Sequence, residues 1–176
     1  LWKSATGHEI CECYGQTETV VLVGNYRSLG HEVRPGSMGK PAPGLDVAVV
    51  DEGLEESPAG VEGEIAVRVK PRRPVGLFRE YWKNPEEMAR QFRGDWYFTG
   101  DRAVRDAEGF FRFIGRKDDV IKSSGYRIGP FEVESALLAH PAVKEAAVVG
   151  SPDDIRGLIV KAFVVLKEGA EPTEQL

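Results

Sequence analysis

The chain has 176 residues, which is enough to bury a hydrophobic core but short for a large multidomain enzyme. Its hydrophobic content of 41% and charged content of 29% are those of an ordinary globular protein. The net charge of −5, with lysines and arginines scattered along the sequence, excludes a general nucleic-acid binder, which needs a concentrated basic face.

The sequence carries no stretch long enough for a membrane span and no signal-peptide pattern at its start. It does not begin with Met, and its closing residues EPTEQL resemble the opening of a helix. We therefore expect the chain to be a piece of a longer protein that lacks both ends here, with any targeting peptide in the missing first segment.

Cysteine usage is low, with Cys11 and Cys13 close together in the sequence. Together with His8 they offer fewer side chains than the four ligands of a closed zinc site. We expect two small buried thiols, without a metal ion and without a mutual disulfide.

Short strands separated by turn residues are predicted over the first two thirds of the chain. Apolar alternation and β-branched residues predict strands at Ile10–Tyr14, 20–26, 45–51, 63–69, around Tyr97 and at Phe110–Ile114. Proline and glycine break the loop at 35–44. This pattern predicts a small barrel or a strongly curved sheet.

One helix interrupts these strands, between Asn84 and Gly94. Asn84 can cap its amino end, Pro85 suits the first helical position, and Glu86 and Glu87 favour the positive end of the helix dipole. Gly94 is expected to terminate it.

The character of the sequence changes after Arg116. We expect a short hairpin around 123–125, a helix over Pro130–His140, and strands at 146–149 and 158–166. The fold class is therefore mixed α/β (α+β), with a barrel-like part over residues 1–117 and a small α/β unit over 118–176.

The turn Tyr14-Gly15-Gln16-Thr17-Glu18 contains groups that suit a nucleotide. An aromatic ring can lie against a purine, a glycine allows close approach to the backbone, and a hydroxyl can donate to phosphate. A single glutamate beside phosphates suits Mg²⁺. The alternative is a polar turn between two strands, which these residues alone do not exclude.

A carboxylate at the end of Thr99-Gly100-Asp101 can accept hydrogen bonds from two adjacent hydroxyls, as acids do with a ribose diol. Arg116, after the strand FFRFI, has a planar charged group suited to ribose or phosphate oxygens. Each alone also fits a common turn or a solvated surface arginine.

Five motifs occur in an order and spacing that resemble the adenylate-forming superfamily. They are YGQTET, GSMGKPAPG at 36–44, GEIAVR, YFTGD and GRKDDVIKSSGYRIGPFEVE at 115–134. This superfamily includes acyl- and aryl-CoA synthetases, luciferases and the adenylation domains of peptide synthetases. Longer stretches, VKPRRPVGLFREYWKNPE among them, most resemble medium-chain acyl-CoA synthetases.

The resemblance implies nucleotide-binding roles in the first part of the chain. Tyr14 would lie by the adenine, Gly15 would belong to the same nucleotide-binding turn, Thr17 would contact phosphate, and Glu18 would hold Mg²⁺. Asp101 would bind the ribose hydroxyls. Residues 1–117 would then be the end of the large domain of such an enzyme.

For the later residues the resemblance implies roles in the rotation of a small carboxy-terminal domain, of which 118–176 would be the start. Arg116 would also reach the ribose, and Asp118 would be the hinge. Gly125 would line the pantetheine channel, and Arg127 would support adenylation.

The implied activity is the ATP-dependent conversion of a carboxylic acid and CoA to acyl-CoA, AMP and pyrophosphate through an acyl-adenylate. The ligands would be ATP or AMP, Mg²⁺, coenzyme A and a medium-chain fatty acid, in the cytoplasm or the mitochondrial matrix. The superfamily's phosphate loop and late lysine are not in this sequence, so we expect the chain alone to be inactive.

Two alternatives stay open. An aryl (benzoate-type) or acetate-type ligase would share these motifs, because the residues of the acyl pocket are not present. A stand-alone, non-catalytic module that binds nucleotide or CoA would use the same motifs without turnover. The sequence does not indicate the oligomeric state.

Overall fold

The computed structural model describes residues 2–173, and the chain divides into two compact units, Leu1–Phe113 and Ile114–Leu176. The division falls earlier in the sequence than the expected one after residue 117. The last part of the expected helix opening at the carboxyl end, residues 174–176, lies outside the described residues.

The first unit consists mainly of antiparallel strands. Its elements are α1 (Trp2–Thr6), β1 (Cys13–Gln16), β2 (Val20–Gly24), a 3-10 turn (Arg27–Leu29), β3 (Lys40–Pro41), β4 (Val47–Val50), β5 (Glu62–Arg68), α2 (Pro85–Gln91), β6 (Phe92–Arg93) and β7 (Trp96–Arg105). Strand β8 (Phe111–Arg116) continues from this unit into the second.

Two sheets build the first unit. One has the order β1-β2-β3, and the other has the order β4-β5-β7-β6 with β8 paired to β7. Leu22, Val49, Ile65, Tyr97 and Phe111 belong to one buried cluster that draws on both sheets, and β-branched residues supply much of it because they pack well on a pleated surface. Burial of this apolar area stabilises the unit.

The second unit contains β9 (Ile121–Ser123), β10 (Tyr126–Ile128), α3 (Pro130–Leu138), β11 (Val143–Asp153) and β12 (Gly157–Leu166). Its sheet has the order β10-β9-β12-β11. Helix α3 is anchored to β11 by the Glu134 carboxylate, which accepts a hydrogen bond from the Val148 amide at 2.8 Å. The mixed α/β fold class is confirmed by this arrangement and by the first unit.

The start of α2 follows the sequence prediction, whereas its end does not. The Asn84 side chain accepts from the Glu87 amide at 3.1 Å, as an N-cap does. Gly94 does not terminate the helix, which ends at Gln91. The chain leaves the helix earlier because Phe92 takes an extended backbone, pairs with Tyr97 in the sheet and packs its ring on that of Tyr97. Gly94 instead lies in the turn between β6 and β7.

The expectation of buried thiols is wrong. Cys11 and Cys13 are both free and both exposed. Residues 7–12 form no helix or strand, and β1 begins only at Cys13, so the first cysteine has no sheet to pack against. Within residues 2–173, no helix combines the length and the apolar character needed to cross a membrane.

Candidate functional site

The Thr17–Thr19 turn joins β1 to β2 at the edge of the small sheet, and its geometry depends on Gly15. A Cβ on Gly15 would lie 1.7 Å from the Val20 carbonyl oxygen, so only glycine allows the two strands to approach in this way. The pairing register slips between Tyr14 and Gly15, and Val20 takes a φ of 58°, which is rare for a β-branched residue. Gly15 is therefore explained by the hairpin itself.

Tyr14 and Asp101 were predicted to bind the same nucleotide, and the structure brings them into contact. The Tyr14 hydroxyl donates to Asp101 Oδ2 at 2.6 Å, although the residues are 87 positions apart. Asp101 is only 6% exposed. A buried carboxylate is stable only where hydrogen-bond donors surround it, and Tyr14 is one of them.

The backbone around Asp101 is irregular, and side chains hold it in place. The register of β5 with β7 slips between Glu64 and Ala66, next to the Thr99–Asp101 segment. The Thr99 hydroxyl accepts from the Asp101 amide at 3.2 Å, and Glu64 Oε1 accepts from the Gly100 amide at 3.1 Å. Such bulges re-aim side chains, and here the bulge turns Asp101 toward β1.

Glu18, the predicted metal ligand, is half-buried and supported from the 78–81 segment. Its Oε1 accepts from the Tyr81 hydroxyl at 3.1 Å, and its carbonyl oxygen accepts from the Phe78 amide at 2.7 Å. Tyr97 lies beside Tyr81. Burial raises the pKa of Tyr97 above its usual range, so Tyr97 remains a neutral hydroxyl.

Thr17 is exposed between these supported residues. Its neighbour Thr19 is buried and closes the turn by accepting from the Gln16 amide at 3.0 Å. Thr17 is therefore open to solvent, while Thr19 is structural.

Magnesium is the metal ion that the resemblance implies, at Glu18. A single half-buried carboxylate in a turn suits Mg²⁺, which takes one or two carboxylates and completes its shell with phosphate and water. Among residues 2–173 there is no group of three or more His, Cys, Asp or Glu side chains that could hold a metal ion. As a single carboxylate ligand, Glu18 fits an Mg²⁺ ion whose other ligands are phosphate and water.

Arg116 and Asp118, predicted as a ribose ligand and as a hinge, lie in the second unit and contact each other. Arg116 Nε donates to Asp118 Oδ1 at 2.8 Å, and a terminal guanidinium nitrogen donates to Oδ2 at 3.2 Å. This bidentate contact lowers the pKa of Asp118.

Gly125 and Arg127 lie on the β9–β10 hairpin. Ser124 and Gly125 have φ values of 47° and 86°, which are those of a two-residue type I′ loop. A Cβ on Gly125 would meet no atom of residues 2–173 within 4 Å, so the positive φ of Gly125, and not crowding by those residues, favours glycine here. Arg127 is exposed on β10.

Sequence reasoning missed three residues that support the predicted ones. Gln16 follows Tyr14 by two positions, and alternation along a strand places both side chains on the same face. The sequence could therefore have predicted that Gln16 lies beside the Tyr14 side chain. The contacts of Tyr81 and Glu64 could not be predicted in this way. No local pattern indicates that Tyr81 meets Glu18, 63 positions away, or that Glu64 meets Gly100.

Family comparisons cover both units. The profile described as AMP-binding enzyme matches residues 1–82. The profile described as AMP-binding enzyme C-terminal domain matches residues 132–176. The two matches follow the order that the sequence motifs predicted.

Among curated relatives, acyl-coenzyme A synthetase ACSM3, mitochondrial, from Mus musculus is 53% identical over 174 residues, or 99% of this chain. Acyl-coenzyme A synthetase ACSM5, mitochondrial, from Rattus norvegicus is 59% identical over 165 residues, or 94% of this chain. The chain spans 30% and 28% of the length of these two relatives.

Solved structures agree with this relation. A structure described as the ATP-bound RpMatB-BxBclM chimera B3 matches with a TM-score of 0.89 at 36% identity, over 99% of this chain and 34% of that one. The acyl-CoA synthetase of Brucella canis is 47% identical with a TM-score of 0.60, over 99% and 31%. The resemblance drawn from the five motifs is confirmed, and the chain belongs to the adenylate-forming superfamily of AMP-binding enzymes.

Proposed function

We propose that this chain is part of an ATP-dependent acyl-CoA synthetase that activates a medium-chain fatty acid. One observation carries the proposal: Tyr14 and Asp101, from two distant motifs, meet at 2.6 Å in a chain whose relatives are named acyl-coenzyme A synthetases. The reaction has two steps, attack of the acid on the α-phosphate of ATP to give acyl-adenylate and pyrophosphate, and displacement of AMP by the CoA thiol.

In the first step the chain's residues bind and orient the nucleotide. Asp101 accepts hydrogen bonds from the ribose hydroxyls, the Tyr14 ring lies by the adenine, and Thr17 donates to a phosphate oxygen. Glu18 holds Mg²⁺, which neutralises phosphate charge when bound. Positioning and charge neutralisation account for most of the acceleration expected in such a step.

The second step needs a different surface against the same adenylate, which a rotation about Asp118 supplies. Gly125 then lies along the pantetheine chain, and Arg116 and Arg127 act with the nucleotide in the adenylation arrangement. Residues 118–176 are the start of the mobile domain.

Asp118→Pro should spare adenylate formation more than thioester formation, and an equal loss of both would remove the hinge role.

The chain alone is proposed to be inactive, because it spans less than a third of the length of the relatives named above. The experiment therefore uses a protein extended to the relatives' length. Thioester formation is measured with ATP, Mg²⁺, CoA and one acid at a time: octanoate, benzoate or acetate. We expect octanoate to give the highest kcat/KM, and omission of Mg²⁺ to abolish turnover. Preference for benzoate or acetate would refute the acid class, and no thioester with any acid would refute the function.

The proposed location is the mitochondrial matrix, since the relatives above are named mitochondrial. Fractionation of cells that express the extended protein with a carboxy-terminal tag tests this. Recovery in the cytosolic fraction would contradict it.

A further inference from the structure

The Gln16 side chain forms three hydrogen bonds in the region of Asp101. Its amide nitrogen donates to Asp101 Oδ2 at 2.9 Å and to the Thr99 carbonyl at 2.9 Å. Its amide oxygen accepts from the Tyr97 hydroxyl at 3.3 Å. A single amide thus contacts the Asp101 carboxylate, the Thr99 backbone on the same strand and the buried Tyr97.

These partners fix which way the amide points. On one side lie two acceptors, the Asp101 carboxylate and the Thr99 carbonyl, and on the other lies a hydroxyl donor. A flipped amide would place its oxygen against both acceptors, so only the observed orientation satisfies all three groups.

The support behind Gln16 is rigid. Tyr97 is 1% exposed and packs against the rings of Phe78 and Phe92. Its hydroxyl stays protonated, as the raised pKa indicates, and so remains a donor to Gln16. The buried Tyr97 thereby anchors the amide oxygen of Gln16, and the amide nitrogen points to the Asp101 carboxylate.

We propose that Gln16 is a positioning residue that, together with Tyr14, orients the Asp101 carboxylate for a ribose diol and so sets the preference for ribonucleotides over deoxyribonucleotides. Gln16 and Tyr14 donate to the same oxygen of Asp101, which fixes the plane of the carboxylate. This inference rests on the proposed nucleotide function, because Asp101 must be the ribose ligand for its orientation to affect selectivity.

The test is calorimetric titration of the extended protein with AMP, 2′-deoxy-AMP and 3′-deoxy-AMP. Gln16→Leu removes the donors without adding charge, and it should weaken AMP binding about tenfold, the usual effect of losing a hydrogen bond to a charged group. Binding of the two deoxynucleotides should change little, so the selectivity ratio falls. If Gln16 had only a structural role, the variant would bind all three nucleotides more weakly by the same factor, and that result would overturn the proposal.

The matched control is Gln91→Leu, because the Gln91 amide also donates to a carboxylate, Glu87 Oε1 at 2.9 Å, but on α2. It should leave the selectivity ratio unchanged. If Gln16→Leu does not fold, Gln16→Glu carries the same comparison, since it keeps the shape and sets two carboxylates against each other. Unchanged selectivity in the folded variant overturns the proposal.

Asp101→Asn separates the two claims. If the wild type prefers AMP and Asp101→Asn loses that preference while Gln16→Leu keeps it, the Gln16 inference fails and the proposed function stands. If the wild type shows no preference, or Asp101→Asn retains it, the proposed ribose role of Asp101 fails as well.

Discussion

Tyr81 is the residue on which the metal-binding assignment can be tested without touching the carboxylate. Its hydroxyl donates to Glu18 Oε1 at 3.1 Å. Tyr81→Phe leaves Glu18 less well oriented, so we expect the Mg²⁺ concentration that gives half-maximal turnover to rise about tenfold. The measurement is thioester formation across a Mg²⁺ titration in the extended protein.

Tyr26→Phe is the control for this substitution, since Tyr26 is a tyrosine of the same unit that none of the Glu18 contacts involve. It should leave the Mg²⁺ dependence as in the wild type. If the Mg²⁺ dependence of Tyr81→Phe equals that of the wild type, the Tyr81 hydrogen bond does not support Glu18 as a metal ligand.

Asp118 is a residue of the second unit whose pKa is shifted by an ion pair. Arg116 hydrogen-bonds it and lowers its pKa, so the pair stabilises the folded state above the ordinary pKa of Asp and stops doing so as the pH falls through the lowered value. The Asp118 side chain is 67% exposed, so the contribution to the free energy of unfolding is small. Arg116→Gln should raise the Asp118 pKa toward its usual range in a carboxyl NMR titration. A pKa that does not move would contradict the pairing.

Some residues of the site could be predicted from the sequence. Tyr14, Glu18 and Asp101 were each predicted from a motif, and the structure places Tyr14 in contact with Asp101. Contacts such as that of Tyr81 with Glu18 could not be predicted, because they depend on how a loop folds back across 63 positions. The assigned roles themselves stay predictions.

Elements were predicted best where a local cause decides them. The N-cap of α2 at Asn84 is confirmed, because capping depends on a few adjacent residues. Strand β11 was predicted over 146–149 but spans Val143–Asp153, including Gly150 and Pro152, which are poor strand formers. Pairing with β12 along its whole length overrides these local preferences.

The β1–β2 hairpin supplies a test at the element scale. Gly15→Ala would place a methyl group 1.7 Å from the Val20 carbonyl, so backbone must shift and the free energy of unfolding should fall by about 2 kcal/mol or more. Denaturant unfolding of the first unit's tryptophan signal measures it. Gly129→Ala is the control, because its Cβ would find the nearest atom at 3.5 Å, an ordinary contact. Equal stability of Gly15→Ala and the wild type would refute the close approach.

At the scale of the whole chain, the mixed α/β class followed from runs of strands and a later strand–helix–strand pattern. The compact units divide between Phe113 and Ile114, inside strand β8. The sequence predicts a slightly later boundary, after residue 117, because a separate strand–helix–strand pattern follows that point.

The central claim is that this chain contributes a nucleotide site, organised around Asp101, to an adenylate-forming enzyme. The most direct measurement is acid-dependent exchange of labelled pyrophosphate into ATP by the extended protein, its Asp101→Asn variant and the control Asp46→Asn, whose carboxylate pairs with Arg68 at 2.6 Å. We expect exchange in the wild type and in Asp46→Asn, and a loss of about tenfold or more in Asp101→Asn. Wild-type exchange in Asp101→Asn, or no acid-dependent exchange in any form, would contradict the account.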